Sequence, residues 1–181
     1  MKKDHRRLRR RPLFTPLLAP VLGGIIVLMI AGLFWTAQSQ TTVILVRHAD
    51  VVESENGNPQ LSATGQFRSK ALAGWLKAAE LSAIYISDYA PTALTAAPIA
   101  ENSGTQPIEI PASEVGRLIN ALGKHRGETV LVVAEAGTLP ALIDGLAGRE
   151  ISIDDNDFSQ LYIVTDSILT KARLLQLRYG G

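Results

Sequence analysis

The sequence predicts an α/β protein: a three-layer α/β/α domain with a mainly parallel central sheet, preceded by a single N-terminal transmembrane helix. Three observations predict it. Short apolar runs at Val43–Val46, Ala83–Ser87 and Thr129–Val133 alternate with helical patterns, the order that builds βαβ units and a parallel sheet. The runs are nearly continuous rather than alternating, as in strands covered on both faces. Ahead of them, no charged side chain occurs from Pro12 to Val46.

The N-terminal stretch is taken first. Residues 1–11 carry seven basic side chains against Asp4, whereas the rest of the chain has eleven basic and sixteen acidic ones. A basic cluster next to an apolar segment is not a nucleic-acid face, and no nucleic-acid partner is expected. The apolar segment runs roughly from Leu13 to Trp35, and about 20 such residues cross a bilayer as a helix. Pro16 and Pro20 can kink it or delay its start. Trp35 suits a membrane interface, and the flanking charge puts the N-terminus in the cytoplasm. The expectation is an uncleaved signal anchor of the inner membrane with its domain on the periplasmic side. A cleavable signal peptide fits less well: its apolar region is about 7–15 residues, and Thr36-Ala37-Gln38-Ser39 is a poor cleavage site. The paired arginines resemble a twin-arginine signal, but the segment is too hydrophobic for that route. The expected division is a tail at 1–11, an anchor at 12–36, a linker at 37–41 and a domain at 42–181. There is no cysteine, which excludes disulfides and thiolate metal sites.

Within the domain, Thr41-Thr42-Val43-Ile44-Leu45-Val46 reads as the first strand, ending in Arg47-His48-Ala49-Asp50. Asn56-Gly57-Asn58-Pro59 is turn chemistry. Ser62 reads as the N-cap of a helix over 63–79, with Leu72, Trp75, Leu76 and Ala79 on one apolar face; Trp75 is expected in the core. Ala83–Ser87 is the second strand. A helix follows from Pro91 to Glu101, with proline tolerated in its first turn. Pro107–Ile110 is a short extended piece, and Ser113 is expected to cap a helix ending at Leu122. After Gly127 comes the Thr129–Val133 strand, then a helix from Gly137 to Leu146. Asp154-Asp155-Asn156-Asp157 reads as a solvated acidic turn, because a calcium loop would need a glycine and a distal glutamate that are missing. Gln160–Thr165 and Ile168–Tyr179 close the chain, the last as an exposed edge or antiparallel strand.

In open α/β sheets, ligands bind outside the carboxyl ends of the strands. Arg47 and His48 fall at such an end. An imidazole there can serve as nucleophile or base, and a guanidinium can clamp an oxyanion with two hydrogen bonds. The dipeptide alone is a weak motif, and a surface Arg-His pair is its plainer reading.

Four ordered blocks make the signal specific. They are Leu45-Val46-Arg47-His48-Ala49-Asp50, Pro59-Gln60-Leu61-Ser62-Ala63-Thr64-Gly65, Ile84 to Ala96, and Val130 to Pro140. With these, residues 42–165 resemble the histidine phosphatase (phosphoglycerate-mutase-like) superfamily, its small branch acting on phosphohistidine or simple phosphomonoesters. The resemblance implies a metal-free, cofactor-free pocket of two arginines and two histidines. It assigns His48 as the phosphoryl acceptor and Arg47 as the phosphate clamp, with Thr92 and Thr138 near the phosphate. The second arginine, however, falls at Pro91, and no arginine lies between Arg68 and Arg117. The second histidine falls at Glu135. A carboxylate there opposes a bound phosphate and is expected to pair with Arg47 and favour protonated His48. Removing one preorganised donor costs about 10²–10³ in rate. Three readings follow. The domain is catalytically silent and binds a phosphorylated small molecule or protein. Or it is a weak or altered hydrolase, with His48 as nucleophile and Glu135 as acid or base. Or it is a structural domain whose pocket is idle. Asp50 and Glu114 are weaker proton-donor candidates, and Ser87 lacks a Gly-x-Ser-x-Gly context. His125 reads as a solvated loop histidine and Arg68 as an exposed helix charge, although Arg68 or Arg149 could swing in as a substitute.

Overall fold

The apolar run after Thr41 becomes the interior of a sheet, and the rest of the domain is arranged on its two faces. The structure, a computed structural model, describes residues 15–37, 40–52, 59–167 and 170–179. The chain divides into two units, Met1–Ala37 and Gln38–Gly181.

The first unit contains helix α1, Thr15–Ala37. The expected transmembrane anchor is not sustained: among the described residues, no helix is long and apolar enough to cross a membrane. This overturns both the anchor and the single-pass inner-membrane, periplasmic placement that rested on it. The basic tail at 1–11 lies outside the described residues.

The second unit opens with β1, Thr41–Arg47, followed by the small pair β2, Val51–Val52, and β3, Gln60–Leu61. Helix α2 covers Ala63–Trp75 and tightens into a 3₁₀ turn at Leu76–Ala78. Then come β4, Leu81–Ile86; α3, Ala90–Ser103; β5, Pro107–Glu109; and α4, Val115–Leu122. The chain continues with β6, Thr129–Ala134; α5, Leu139–Ala147; β7, Gln160–Ser167; and β8, Thr170–Arg178. The main sheet has the order β5-β4-β6-β1-β7-β8. Strands β5, β4, β6 and β1 are parallel; β7 runs antiparallel to β1, and β8 antiparallel to β7. The last strand is thus an antiparallel edge, as its alternating pattern predicts.

Alternation along β1 separates two cores. Val43 and Leu45 pack with Leu118, Leu122, Leu142 and Ile143 of α4 and α5. Ile44 and Val46 pack with Leu72, Ala96 and Ile99 of α2 and α3. This is the expected three-layer arrangement.

Two local expectations need correction. Trp75 is 60 % exposed. The buried face of α2 is Gly65, Ser69, Leu72 and Ala73, continued by Leu76; at about 100° per residue, Trp75 falls roughly a quarter turn off it. Ser113 does not cap α4. The Glu114 amide donates to the Pro111 carbonyl (2.8 Å), a turn that leaves Glu114 at the helix boundary with no side-chain cap bond. Ser62 does cap α2, its hydroxyl accepting from the Gly65 amide at 3.0 Å. Gly65 is demanded by close approach, since a β-carbon there would run into the Asp50 carbonyl oxygen.

Candidate active site

His48 is pinned before its side chain does anything. Its amide donates to the Ala134 carbonyl (2.9 Å), extending the β1–β6 ladder by one residue past the strand. The next amide, Ala49, donates to Thr95 Oγ1 at 2.9 Å, and that hydroxyl donates to the Pro91 carbonyl at 2.7 Å. Ser69 Oγ donates to the Thr95 carbonyl at 2.8 Å. Sheet, α3 and α2 therefore fix one short loop.

The imidazole is 5 % exposed. Its Nδ1 lies 2.9 Å from the Ala49 carbonyl oxygen. A carbonyl only accepts, so Nδ1 carries the proton and Nε2 presents a lone pair when the ring is neutral. Tyr89 packs edge-on at 5.2 Å between centroids, and Phe158 lies tilted at 5.9 Å. Burial pulls the His48 pKa below its ordinary value. The bond to Ala49 opposes this, Arg47 adds to it, and Glu135 and Asp50 push weakly the other way. The expectation that Glu135 favours protonated His48 is therefore reversed in the sum: desolvation outweighs the carboxylate.

Arg47 does not pair with Glu135. Its guanidinium lies 3.9 Å over the Phe158 ring, and Nη1 donates to the carbonyls of Asp155 (2.5 Å) and Asp154 (3.4 Å). Its Nε is buried without a hydrogen-bond partner. Desolvation lowers its pKa, against the carboxylates of Asp155, Asp50, Asp154 and Asp157. The acidic turn is thus more than a solvated loop, because its backbone caps Arg47.

Glu135 follows β6 directly. Ser87 Oγ donates to its Oε1 at 2.6 Å, and Thr138 Oγ1 donates to its Oε2 at 3.4 Å. Thr92 is fully buried, and its hydroxyl is engaged by the Tyr89 and Ser87 carbonyls at 2.7 and 3.1 Å. Pro91 sits in the first turn of α3, where a missing N–H costs nothing. Arg47, His48, Thr92, Glu135 and Thr138 are thus all at the carboxyl ends of β1, β4 and β6. The hydroxyls of Thr92 and Thr138 serve the protein's own carbonyls and carboxylate.

The substitutes do not arrive. Arg68 is largely buried rather than an exposed helix charge: its Nε pairs with Asp50 Oδ2 at 2.8 Å, and Nη1 donates to the Tyr179 carbonyl at 3.2 Å. Glu114 pairs with Arg117 at 2.8 Å on the surface, and Arg149 is exposed. His125 also differs from expectation. It bonds Tyr85 Oη through Nε2 (2.9 Å) and Glu128 through Nδ1 (2.6 Å), at the far end of the sheet. Among the described residues, no group of side chains could hold a metal ion. Sequence reasoning did not assign Phe158 or Tyr89 to the site. Phe158 lies 110 residues from His48 along the chain, and nothing local marks it.

The histidine phosphatase superfamily (branch 1) model matches residues 43–114. A comparison with curated proteins finds no match. Among solved structures, the protein histidine phosphatase SixA complexed with tungstate is similar at TM-score 0.64 and 18 % identity, covering 76 % of this chain and 96 % of that one. An alpha-ribazole-5′-P phosphatase from Escherichia coli is similar at 0.62 and 16 %, covering 76 % and 96 %. A mycobacterial glucosyl-3-phosphoglycerate phosphatase is similar at 0.56 and 14 %, covering 75 % and 97 %. The family model thus falls across the strand end that carries Arg47 and His48, and the domain shares the fold of these phosphatases.

Proposed function

We propose that this domain is a catalytically impaired histidine phosphatase that uses the pocket around Arg47 and His48 to bind a phosphorylated small molecule or protein. One observation carries the reading: the carboxylate of Glu135, hydrogen-bonded by Ser87 and Thr138, stands where the resemblance calls for a second histidine. Pro91 stands where it calls for a second arginine, and Arg68 is committed to Asp50. Phosphoryl transfer needs donors aimed at the developing charge. One guanidinium with an opposing carboxylate nearby supplies little of that.

A weak phosphatase is the second reading. The Nδ1 bond to Ala49 leaves Nε2 available as a nucleophile, Arg47 would clamp the phosphate, and Glu135 would serve as acid or base.

The test is hydrolysis of a chromogenic phosphomonoester by the full chain. Wild type is compared with His48→Ala, Glu135→His, and the double variant Pro91→Arg with Glu135→His. The expected result is no turnover by wild type and a gain in the double variant, about 10²-fold or more over background, that is lost when His48 is also removed. Wild-type turnover abolished by His48→Ala would establish the second reading instead.

A further inference from the structure

At the end of β1 remote from His48, the domain forms an open cavity of about 340 Å³ between the sheet and helices α4 and α5. Thr41 at its mouth is six residues before Arg47 on one strand, about 20 Å away. This cavity is separate from the phosphatase pocket and does not depend on the reading of that pocket.

Its floor is apolar: Val43, Leu122 and Val164 are 4 %, 1 % and 1 % exposed. Ile119 and Leu146 form the sides. Two wall positions are Gly123 and Gly145, which contribute no side chain to fill the space. A β-carbon at Gly145 would meet Ile119 Cδ1, the mobile end of a side chain that also lines the space. Ligand pockets start at about 300 Å³, so the space is of a size to take a small molecule.

The mouth carries one charge of each sign, and backbone geometry brings them together. Asp166 is the cross-strand partner of Thr41. Thr41 Oγ1 donates to the His125 carbonyl (2.9 Å) and accepts from the Gly127 amide (3.3 Å), the two residues that flank Arg126. The loop is anchored further by the His125 bonds to Tyr85 and Glu128. Arg126 and Asp166 both line the cavity and are both exposed. Among the described residues, neither forms an ion pair.

We propose that this cavity binds a small apolar zwitterion, namely a free amino acid with a branched or aromatic side chain. The side chain lies on the Val43–Leu122–Val164 floor, the carboxylate on Arg126 and the ammonium on Asp166. A simple carboxylic acid would meet repulsion from Asp166, and a simple amine would meet it from Arg126. The zwitterion satisfies both charges.

The experiment is calorimetric titration of the full chain with L-phenylalanine, L-phenylalaninamide and N-acetyl-L-phenylalanine. Phenylalanine is expected to bind, and each analogue, lacking one charge, about tenfold or more weakly. Arg126→Ala is expected to erase the preference over the amide, and Asp166→Asn the preference over the N-acetyl compound. His48→Ala, in the other pocket, is expected to leave all three affinities unchanged. No binding of phenylalanine at millimolar concentration overturns the proposal. So do equal affinities for the three probes, insensitivity to both charge variants, or loss of binding in His48→Ala.

Discussion

His48 and Arg47 adjoin in the chain, yet their surroundings set them different tasks. His48 is kept neutral by burial, its pKa depressed from an ordinary value of 6.5. The unfolded chain therefore binds a proton that the folded chain resists, and stability rises with pH through that window. This contribution is fully present above about 6.5 and is lost as pH falls through the folded value. A His48→Gln variant should flatten the pH dependence of the unfolding midpoint below pH ~6.5; an unaltered slope would show that His48 is not the group titrating. Arg47 is held by Phe158 and, through Nη1, by two carbonyls, so an oxyanion that takes the face or the Nη1 edge of the guanidinium competes with that cap. A cation–π contact of about 0.5–2 kcal/mol predicts that Phe158→Ala tightens tungstate binding roughly two- to thirtyfold. Tighter binding in wild type than in the variant would mean that Phe158 helps the ligand rather than competing with it.

Each element owes its place to a few residues, and the costs of changing them differ by mechanism. Leu142 in α5 is fully buried, so Leu142→Ala should cost about 2–5 kcal/mol in chemical denaturation. Trp75→Ala, on an exposed side chain, should fall within about 0.5 kcal/mol of wild type; a larger loss would place the indole in a contact that its exposure denies. Tyr179, just past β8, gives a change of opposite sign. Its side chain is 2 % exposed, its hydroxyl is buried without a hydrogen-bond partner, and burial pushes its pKa up. An unsatisfied buried hydroxyl costs about 1–3 kcal/mol, so Tyr179→Phe should raise stability by ~1 kcal/mol. The main-chain bonds at this position, from the Tyr179 amide to Ser159 and from Arg68 to the Tyr179 carbonyl, do not involve that oxygen.

For the whole molecule, the boundary between Ala37 and Gln38 carries a prediction of its own. Both cores lie within residues 43–179, so a chain beginning at Gln38 should unfold cooperatively, with a midpoint within about 2 °C of the full chain. A drop much larger than that would show that the first unit stabilises the second. The sheet leaves β8 at one edge and β5 at the other. Arg173 and Arg178 on β8 are exposed, the kind of edge charge that discourages pairing with another chain.

By itself, the sequence determined the layered domain, because continuous β-branched runs separated by helical periods have few ways to bury both faces. Arg47-His48 at a strand end, Pro91 and Glu135 were legible for the same reason: each lies within a few residues of a strand or helix boundary that local patterning marks. The first helix was legible as a helix, but the membrane crossing read from its composition did not survive. The rest needed the tertiary structure. Whether His48 is protonated depends on desolvation by Tyr89 and Phe158, which arrive from distant segments. Arg47 bonds to the Asp154 and Asp155 carbonyls, while Ser87 and Thr138 bond to the Glu135 carboxylate. Arg68 turned inward because folding brings Asp50 and Tyr179, separated by most of the domain, to either side of it. Partner choice of this kind is a property of distances through space. Patterns along the chain record burial and period, and they carry no measure of which polar groups will meet.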